Sequence, residues 1–319
     1  MDGNYSNIVL IGGSAHPKLN WEISELLGIP LTTTEIKHFA DGETYVHICE
    51  SVRGKDVYII QPTCKPVNEN LMELLIAIDT LKRASAGRIN AIIPYYGYSR
   101  QDRKDKARVP ITAKLVADLL DKAGADRVVS VDLHADQIQG FFDIPMDRLK
   151  AQPLIAEYIK SHDYDLSNMV VVAPDVGSVK RSRTMAEMLE IPMAIIDKRR
   201  PQANVSEVMN VIGEVKGKDV IMIDDMIDTA GTIVGAANAL RELGAKKIIA
   251  ACTHPLFNGE APKRLTESAI DTLIVTNTVP LTPEKHISKV KVVSIAPLLC
   301  NVILRIHTGQ SVSVLFEED

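Results

Sequence analysis

Short, almost unbroken apolar runs recur along the chain: Ile8 to Ile11, Val57 to Ile60, Ala91 to Ile93, Val128 to Val131, Val170 to Val172, Ala194 to Ile196, Val220 to Ile223, Ile248 to Ala251 and Thr272 to Val275. Between them, apolar residues return every three or four positions, the spacing of amphipathic helices. Strands that lack polar alternation are buried on both faces, as in parallel sheets covered by helices. The pattern therefore predicts an α/β protein built from mainly parallel sheets flanked by helices.

One stretch stands out. Val220-Ile221-Met222-Ile223 runs into Asp224 and Asp225, then into the small-residue loop Asp228-Thr229-Ala230-Gly231-Thr232. Ile233, Val234, Ala236, Ala237, Leu240 and Leu243 follow at helical spacing, and Gly244 stands where a helix would stop. A strand, loop and helix in that order offer an anion the backbone N–H groups and positive dipole end of the helix. Asp224 and Asp225, expected at the strand end, suit vicinal hydroxyls, so the combined target is a sugar phosphate. An ordinary βα turn with solvated acids fits the same letters.

Val52-Arg53-Gly54-Lys55-Asp56-Val57 is echoed by Val215-Lys216-Gly217-Lys218-Asp219-Val220, each before a strand, a helix and another strand. The echo implies a duplicated α/β domain, with residues 1–150 as one copy and 151–303 as the other. Gln61-Pro62-Thr63 stands in the first copy where Asp224-Asp225-Met226 stands in the second. Only the second is expected to hold a ribose phosphate. The segment from about 304 to 319 is expected to return to the first copy.

Composition narrows the functions. A formal net charge of -5 gives no general basic footprint for nucleic acid or anionic membrane. No run approaches the length of a membrane span and the start lacks a signal-peptide pattern, so a cytoplasmic location is expected. The four cysteines, Cys49, Cys64, Cys252 and Cys300, have no CxxC spacing; ordinary buried thiols are expected, with neither a zinc site nor a disulfide framework.

In open α/β sheets ligands gather beyond the carboxyl ends of the strands. There the chain carries Asp132 and His134, Asp175, and Asp197-Lys198-Arg199-Arg200. Phosphoryl transfer needs positioning, Mg²⁺ and cations on the spreading charge, which Lys198, Arg199 and Arg200 could supply; a solvated basic turn before Pro201 is the plainer alternative. His134 and Asp175 could hold a nucleotide-bound Mg²⁺. Residues 100–108 carry five cations and read as a lid over anions or as a solvated charged hairpin. Phe39, Asp41 and Glu43 offer a ring and two acceptors to an adenine. No GxxxxGK[ST] occurs, which argues against a P-loop kinase.

Taken together, Phe39-Ala40-Asp41-Gly42-Glu43, Tyr98-Ser99-Arg100-Gln101-Asp102, Val131-Asp132-Leu133-His134-Ala135, Ile138-Gln139-Gly140-Phe141-Phe142, Pro174-Asp175-Val176-Gly177, Asp197-Lys198-Arg199-Arg200 and Asp224 to Thr232 resemble the ribose-phosphate diphosphokinase, or phosphoribosyl diphosphate (PRPP) synthase, family over nearly the whole chain. The resemblance implies two phosphoribosyltransferase-like (type I) domains and the reaction of ATP with ribose 5-phosphate to give AMP and PRPP. It assigns Asp228, Thr229, Ala230, Gly231 and Thr232 to the 5-phosphate and Asp224 and Asp225 to the ribose hydroxyls. Phe39, Asp41, Glu43, Arg100, Gln101 and Asp102 fall to ATP, His134 and Asp175 to Mg²⁺, and Lys198 and Arg200 to catalysis. It further implies a homo-oligomer, a hexamer, activated by inorganic phosphate and inhibited by ADP at a site including Ser51, Arg53, Ser311 and Ser313.

Ala230 and Ser178 stand where many members have Gly, a change that is costly only at positive φ. Two other readings remain open at this point: a PRPP-consuming phosphoribosyltransferase, and a catalytically silent regulatory subunit of the same fold.

Overall fold

The computed structural model describes residues 7–199 and 208–315. The chain divides into two compact units, one of Met1–Lys150, Thr278–Pro280 and Ile295–Asp319, the other of Ala151–Asn277 and Leu281–Ser294.

In the first unit the order is β1 (Ile8–Gly12), α1 (Pro17–Leu27), β2 (Thr34–His38), β3 (Thr44–Ile48), β4 (Asp56–Ile60), α2 (Val67–Arg83), β5 (Arg88–Ile93), α3 (Thr112–Ala123), β6 (Arg127–Val131) and β7 (Met146–Leu149). Five strands form a parallel sheet in the order β1-β4-β5-β6-β7, while β2 and β3 make a separate antiparallel hairpin. β4 is buried along its whole length, as a strand covered on both faces must be. α1 begins at Pro17, where a missing N–H costs nothing, and His16 Nδ1 accepts from the Leu19 N–H at 3.2 Å. The C-terminal helix Ala296–His307 belongs to this unit: His307 Nδ1 lies 2.7 Å from Asp56 Oδ2, and Arg88 donates both to Asp56 and to the Ile306 carbonyl.

The second unit contains α4 (Gln152–Lys160), β8 (Met169–Ala173), α5 (Val179–Leu189), β9 (Met193–Arg199), β10 (Val208–Ile212), β11 (Asp219–Ile227), α6 (Gly231–Glu242), β12 (Lys247–Pro255), α7 (Ala261–Glu267), β13 (Thr272–Thr276) and β14 (Val290–Val293). Its sheet runs β10-β9-β8-β11-β12-β13-β14, parallel except for β10. The run β8-β11-β12-β13-β14 repeats β1-β4-β5-β6-β7 strand for strand, and each copy carries an antiparallel pair between its first and second strands. In this copy the pair joins the sheet through β8, so the chain winds first to one side of β8 and then, from β11, to the other. That reversal is the point where open α/β sheets bind ligands. α6 stops as its pattern predicts, with Gly244 at φ 89° and the Ala245 N–H reaching back to the Leu240 carbonyl.

All nine apolar runs are strands. Two expectations need correction. Asp224 and Asp225 lie inside β11 rather than at its end, because pairing with β12 continues to Ile227. Asp197, Lys198 and Arg199 likewise lie within β9, paired antiparallel to β10. No described helix is long and apolar enough to cross a membrane.

Candidate functional site

β11 pairs with β8 only over Asp219–Ile221, then runs on beside β12 alone. The acids therefore sit where β11 has outrun one neighbour. Asp225 is buried and Asp224 partly so. Arg181, in the first turn of α5, donates through Nη1 to Asp224 Oδ1 at 2.7 Å and lies 3.4 Å from Asp225 Oδ1. The Asp225 N–H also donates to Asp224 Oδ1, at 2.9 Å. Burial and the adjacent Asp225 carboxyl push Asp224 up to about 7, Arg181 opposing them.

Asp224, Asp228, Thr229, Ala230, Gly231 and Thr232 share the wall of one cavity of about 150 Å³. The loop is held from behind: Asn258 Nδ2 donates to Asp228 Oδ1 at 2.7 Å, the Asn258 N–H to the Asp228 carbonyl at 3.0 Å, and Arg264 to the Thr229 carbonyl at 3.1 Å. First-turn N–H groups of a helix have no intrahelical partner, and Ala230, the N-cap of α6, supplies no side-chain cap. Those donors and the dipole end of α6 suit a phosphate.

Ala230 sits at φ 63°, the left-handed region that favours Gly, so its Cβ is the costly kind of departure. Ser178 sits at φ -88° and costs nothing; its Oγ donates to the Asp175 carbonyl at 2.8 Å. Asp175 follows β8 by two residues and caps the turn Val176–Ser178, its Oδ1 accepting from the Ser178 N–H at 2.9 Å. Its other carboxylate oxygen suits a hard cation. His134 is exposed just beyond β6, in the first unit, whereas Asp175 is in the second. Lys198 is on β9, and Arg200 lies outside the described residues.

In the first unit, Phe39, Asp41 and Glu43 come together in the turn of the β2–β3 hairpin. The Phe39 N–H donates to the Glu43 carbonyl at 2.8 Å, Asp41 accepts from the Glu43 N–H at 3.2 Å, and the exposed Phe39 ring meets Tyr45 edge-on at 5.9 Å. Arg100, Gln101 and Asp102 lie on the separate β5–α3 loop. Arg100 and Gln101 are exposed there, but Asp102 is buried and accepts from Gln137, which anchors the loop base. Ser51 and Arg53 are exposed ahead of β4, and the Ser311 and Ser313 hydroxyls lie 2.6 Å apart.

Arg181, Asn258 and Arg264 escape sequence reasoning. Arg181 alone left a usable signal: a cation in the first turn of the helix after Asp175 must lie at the ligand end of a parallel sheet.

Residues 8–124 match the N-terminal domain of ribose phosphate pyrophosphokinase, and residues 198–317 match the phosphoribosyl synthetase-associated domain. The chain is 56% identical over 319 residues to a ribose-phosphate pyrophosphokinase of Clostridium perfringens, covering 100% of both. To that of Caldanaerobacter subterraneus subsp. tengcongensis it is 58% identical, over 98% of this chain and 99% of the relative. Among solved structures, a phosphoribosylpyrophosphate synthetase from Mycobacterium smegmatis superposes with a TM-score of 0.90 at 49% identity, over 95% of this chain and 99% of that one.

Proposed function

The chain belongs to the ribose-phosphate pyrophosphokinase family, and from that premise we propose which of its residues carry each part of the reaction. The protein is an enzyme that transfers the β,γ-diphosphoryl group of ATP to the C1 hydroxyl of ribose 5-phosphate, giving PRPP and AMP. The C1 oxygen bonds to the β-phosphorus as the bond to the α–β bridging oxygen breaks. AMP leaves with that oxygen, and the hydroxyl proton passes to solvent. A full-length identity of 56% disfavours a PRPP-consuming transferase or a silent partner.

In this reading the α6 N-terminus and Asp228 to Thr232 hold the 5-phosphate, while Asp224 and Asp225 accept from the ribose hydroxyls. Arg181 keeps that acid pair oriented and partly neutralised. Phe39, Asp41 and Glu43 receive adenine, with Arg100 and Gln101 on the nucleotide phosphates. Lys198 and Arg200 stabilise charge on the diphosphoryl group during transfer. His134 in the first unit and Asp175 in the second are each candidate ligands for Mg²⁺, which would neutralise nucleotide phosphates when bound. The supporting observation is the acid-bearing strand that outruns β8 and leads into a helix with no side-chain cap around a cavity of about 150 Å³.

We also propose a cytoplasmic homohexamer activated by phosphate and inhibited by ADP, with Ser51, Arg53, Ser311 and Ser313 in the regulatory site. The test is AMP formation from ATP, Mg²⁺ and ribose 5-phosphate, with and without inorganic phosphate and ADP. AMP stoichiometric with PRPP is expected. No AMP under any of these conditions contradicts the reading.

A further inference from the structure

The hairpin β2–β3 presents two faces. Ile36, Val46 and Ile48 turn inward, while Glu35, Lys37, Tyr45, His47 and Cys49 turn outward. Glu35 stands directly opposite His47 in the register, and Cys49 follows His47 by two residues on the same face. Cys49 lies just past β3, yet its N–H still donates to the Thr33 carbonyl at 2.9 Å, which fixes the direction of its side chain. The expectation of ordinary buried thiols therefore fails here: Cys64, Cys252 and Cys300 are buried, whereas Cys49 is exposed.

One oxygen of Glu35, one ring nitrogen of His47 and the sulfur of Cys49 lie within 4.8 Å of one another. Cys49 Sγ is 3.9 Å from His47 Nδ1, and that nitrogen is 3.9 Å from Glu35 Oε2. Zinc bonds of about 2.3 Å to sulfur and about 2.0 Å to nitrogen set the N···S edge of a tetrahedron at about 3.5 Å. The sulfur–nitrogen pair, at 3.9 Å, is about 0.4 Å wider than that edge, all three donors lie within 4.8 Å, and exposed side chains can close such gaps by rotation. Lys37 Nζ, 2.7 Å from Glu35 Oε2, is the local competitor, but an exposed ion pair is weak and the carboxylate has a second oxygen.

We propose that Glu35, His47 and Cys49 form a site for a zinc-class transition-metal ion, with a water in the fourth position. Binding releases the Cys49 thiol proton to solvent and leaves a thiolate bonded to the metal. The ion joins β2 to β3 across the pair Glu35–His47, three residue pairs from the Phe39–Glu43 turn. It is distinct in chemistry from the Mg²⁺ of the reaction, since soft sulfur and imidazole donors select against Mg²⁺.

The test is titration of the full-length protein with Zn²⁺ and with Co²⁺, in excess Mg²⁺ to keep oxygen-donor sites occupied. One ion per chain is expected, with a near-ultraviolet cobalt–thiolate band. Zn²⁺ should slow reaction of Cys49 with an aromatic disulfide reagent at least tenfold. Cys49→Ser should abolish the band, and His47→Gln should weaken binding at least tenfold and restore thiol reactivity. All three side chains are exposed, so these variants keep their fold. No saturable ion in the wild-type protein, or unchanged affinity in Cys49→Ser, overturns the site.

Discussion

β4 and β11 occupy the same place in two copies of one architecture, and the acceptors at Gln61 and at its counterpart Asp224 are used in opposite ways. Beyond β4, Gln61 and Glu73 are buried. Glu73 Oε1 accepts from the Ser14 N–H and from Gln61 Nε2, both at 2.7 Å, and Gln61 Oε1 accepts from the Ala15 N–H at 3.0 Å. A Cβ on Gly13 would collide with the Gln61 amide, so the loop after β1 is packed shut. Where β4 stops at Ile60, β11 runs on to Ile227 and holds Asp224 and Asp225 with Arg181 beside them, and the helix that follows opens onto a cavity of about 150 Å³. Repeated strand orders thus carry one loop, after β1, filled by Gln61 and Glu73, and another, after β11, open to a cavity. What differs is whether the chain's own side chains consume the donors.

The sharpest way to break this contrast is to remove the acceptors on each side. Asp224→Asn with Asp225→Asn should lower kcat/KM for ribose 5-phosphate about 10²–10⁴-fold, since each hydrogen bond to a charged group is worth about 1.5–3 kcal/mol. Glu73→Ala should instead cost about 1–3 kcal/mol of stability, by orphaning the Ser14 and Gln61 donors, while the KM for ribose 5-phosphate stays unchanged. Equal kinetic losses from both changes would erase the distinction. Lys198→Ala should lower kcat about 10²-fold with KM for either substrate within a few-fold, the signature of a group acting mainly in the transition state. A pure KM effect would reassign Lys198 to ground-state binding.

Arg181→Ala should lower kcat/KM about 10-fold by freeing two acids from their shared cation. A smaller effect concerns pH. Asp224 titrates near 7 when folded, against 3.8 for a free carboxyl. Between those values the folded state holds a proton that the unfolded chain has released, so stability falls as pH rises through this window. Asp224→Asn should flatten the dependence of Tm on pH over that range; an unchanged slope would place the perturbation elsewhere. Smallest of all, Ala230→Gly should raise Tm by about 2 °C. Relief of about 1–2 kcal/mol of left-handed strain is offset by about 0.5–1 kcal/mol of extra freedom in the unfolded chain.

Nine parallel strands were legible because burial on both faces leaves continuous apolar runs. Five strands were not. β2 and β3 bury one face through Ile36, Val46 and Ile48 and show only a weak alternation. β7 is four residues long with Asp147 and Arg148 at its centre. β10 and β14 flank the second sheet, and each is a short apolar run broken by a polar residue, Asn210 and Lys291. At the site, the residues from Asp224 to Thr232 were legible as a strand, loop and helix. Two features were not: the reach of β11 to Ile227, which depends on where β12 stays and β8 leaves, and the link from Arg181, which joins residues 43 apart in sequence. The sign of φ at Ala230 also needed coordinates, since one letter fits either region.

The claim that only the second copy takes the sugar phosphate is tested most directly by calorimetric titration of the full-length protein with ribose 5-phosphate. The account predicts one molecule bound per chain, lost in Asp224→Asn with Asp225→Asn and retained in Glu73→Ala. Two molecules per chain, or binding that survives the aspartate changes and disappears with Glu73, would contradict it.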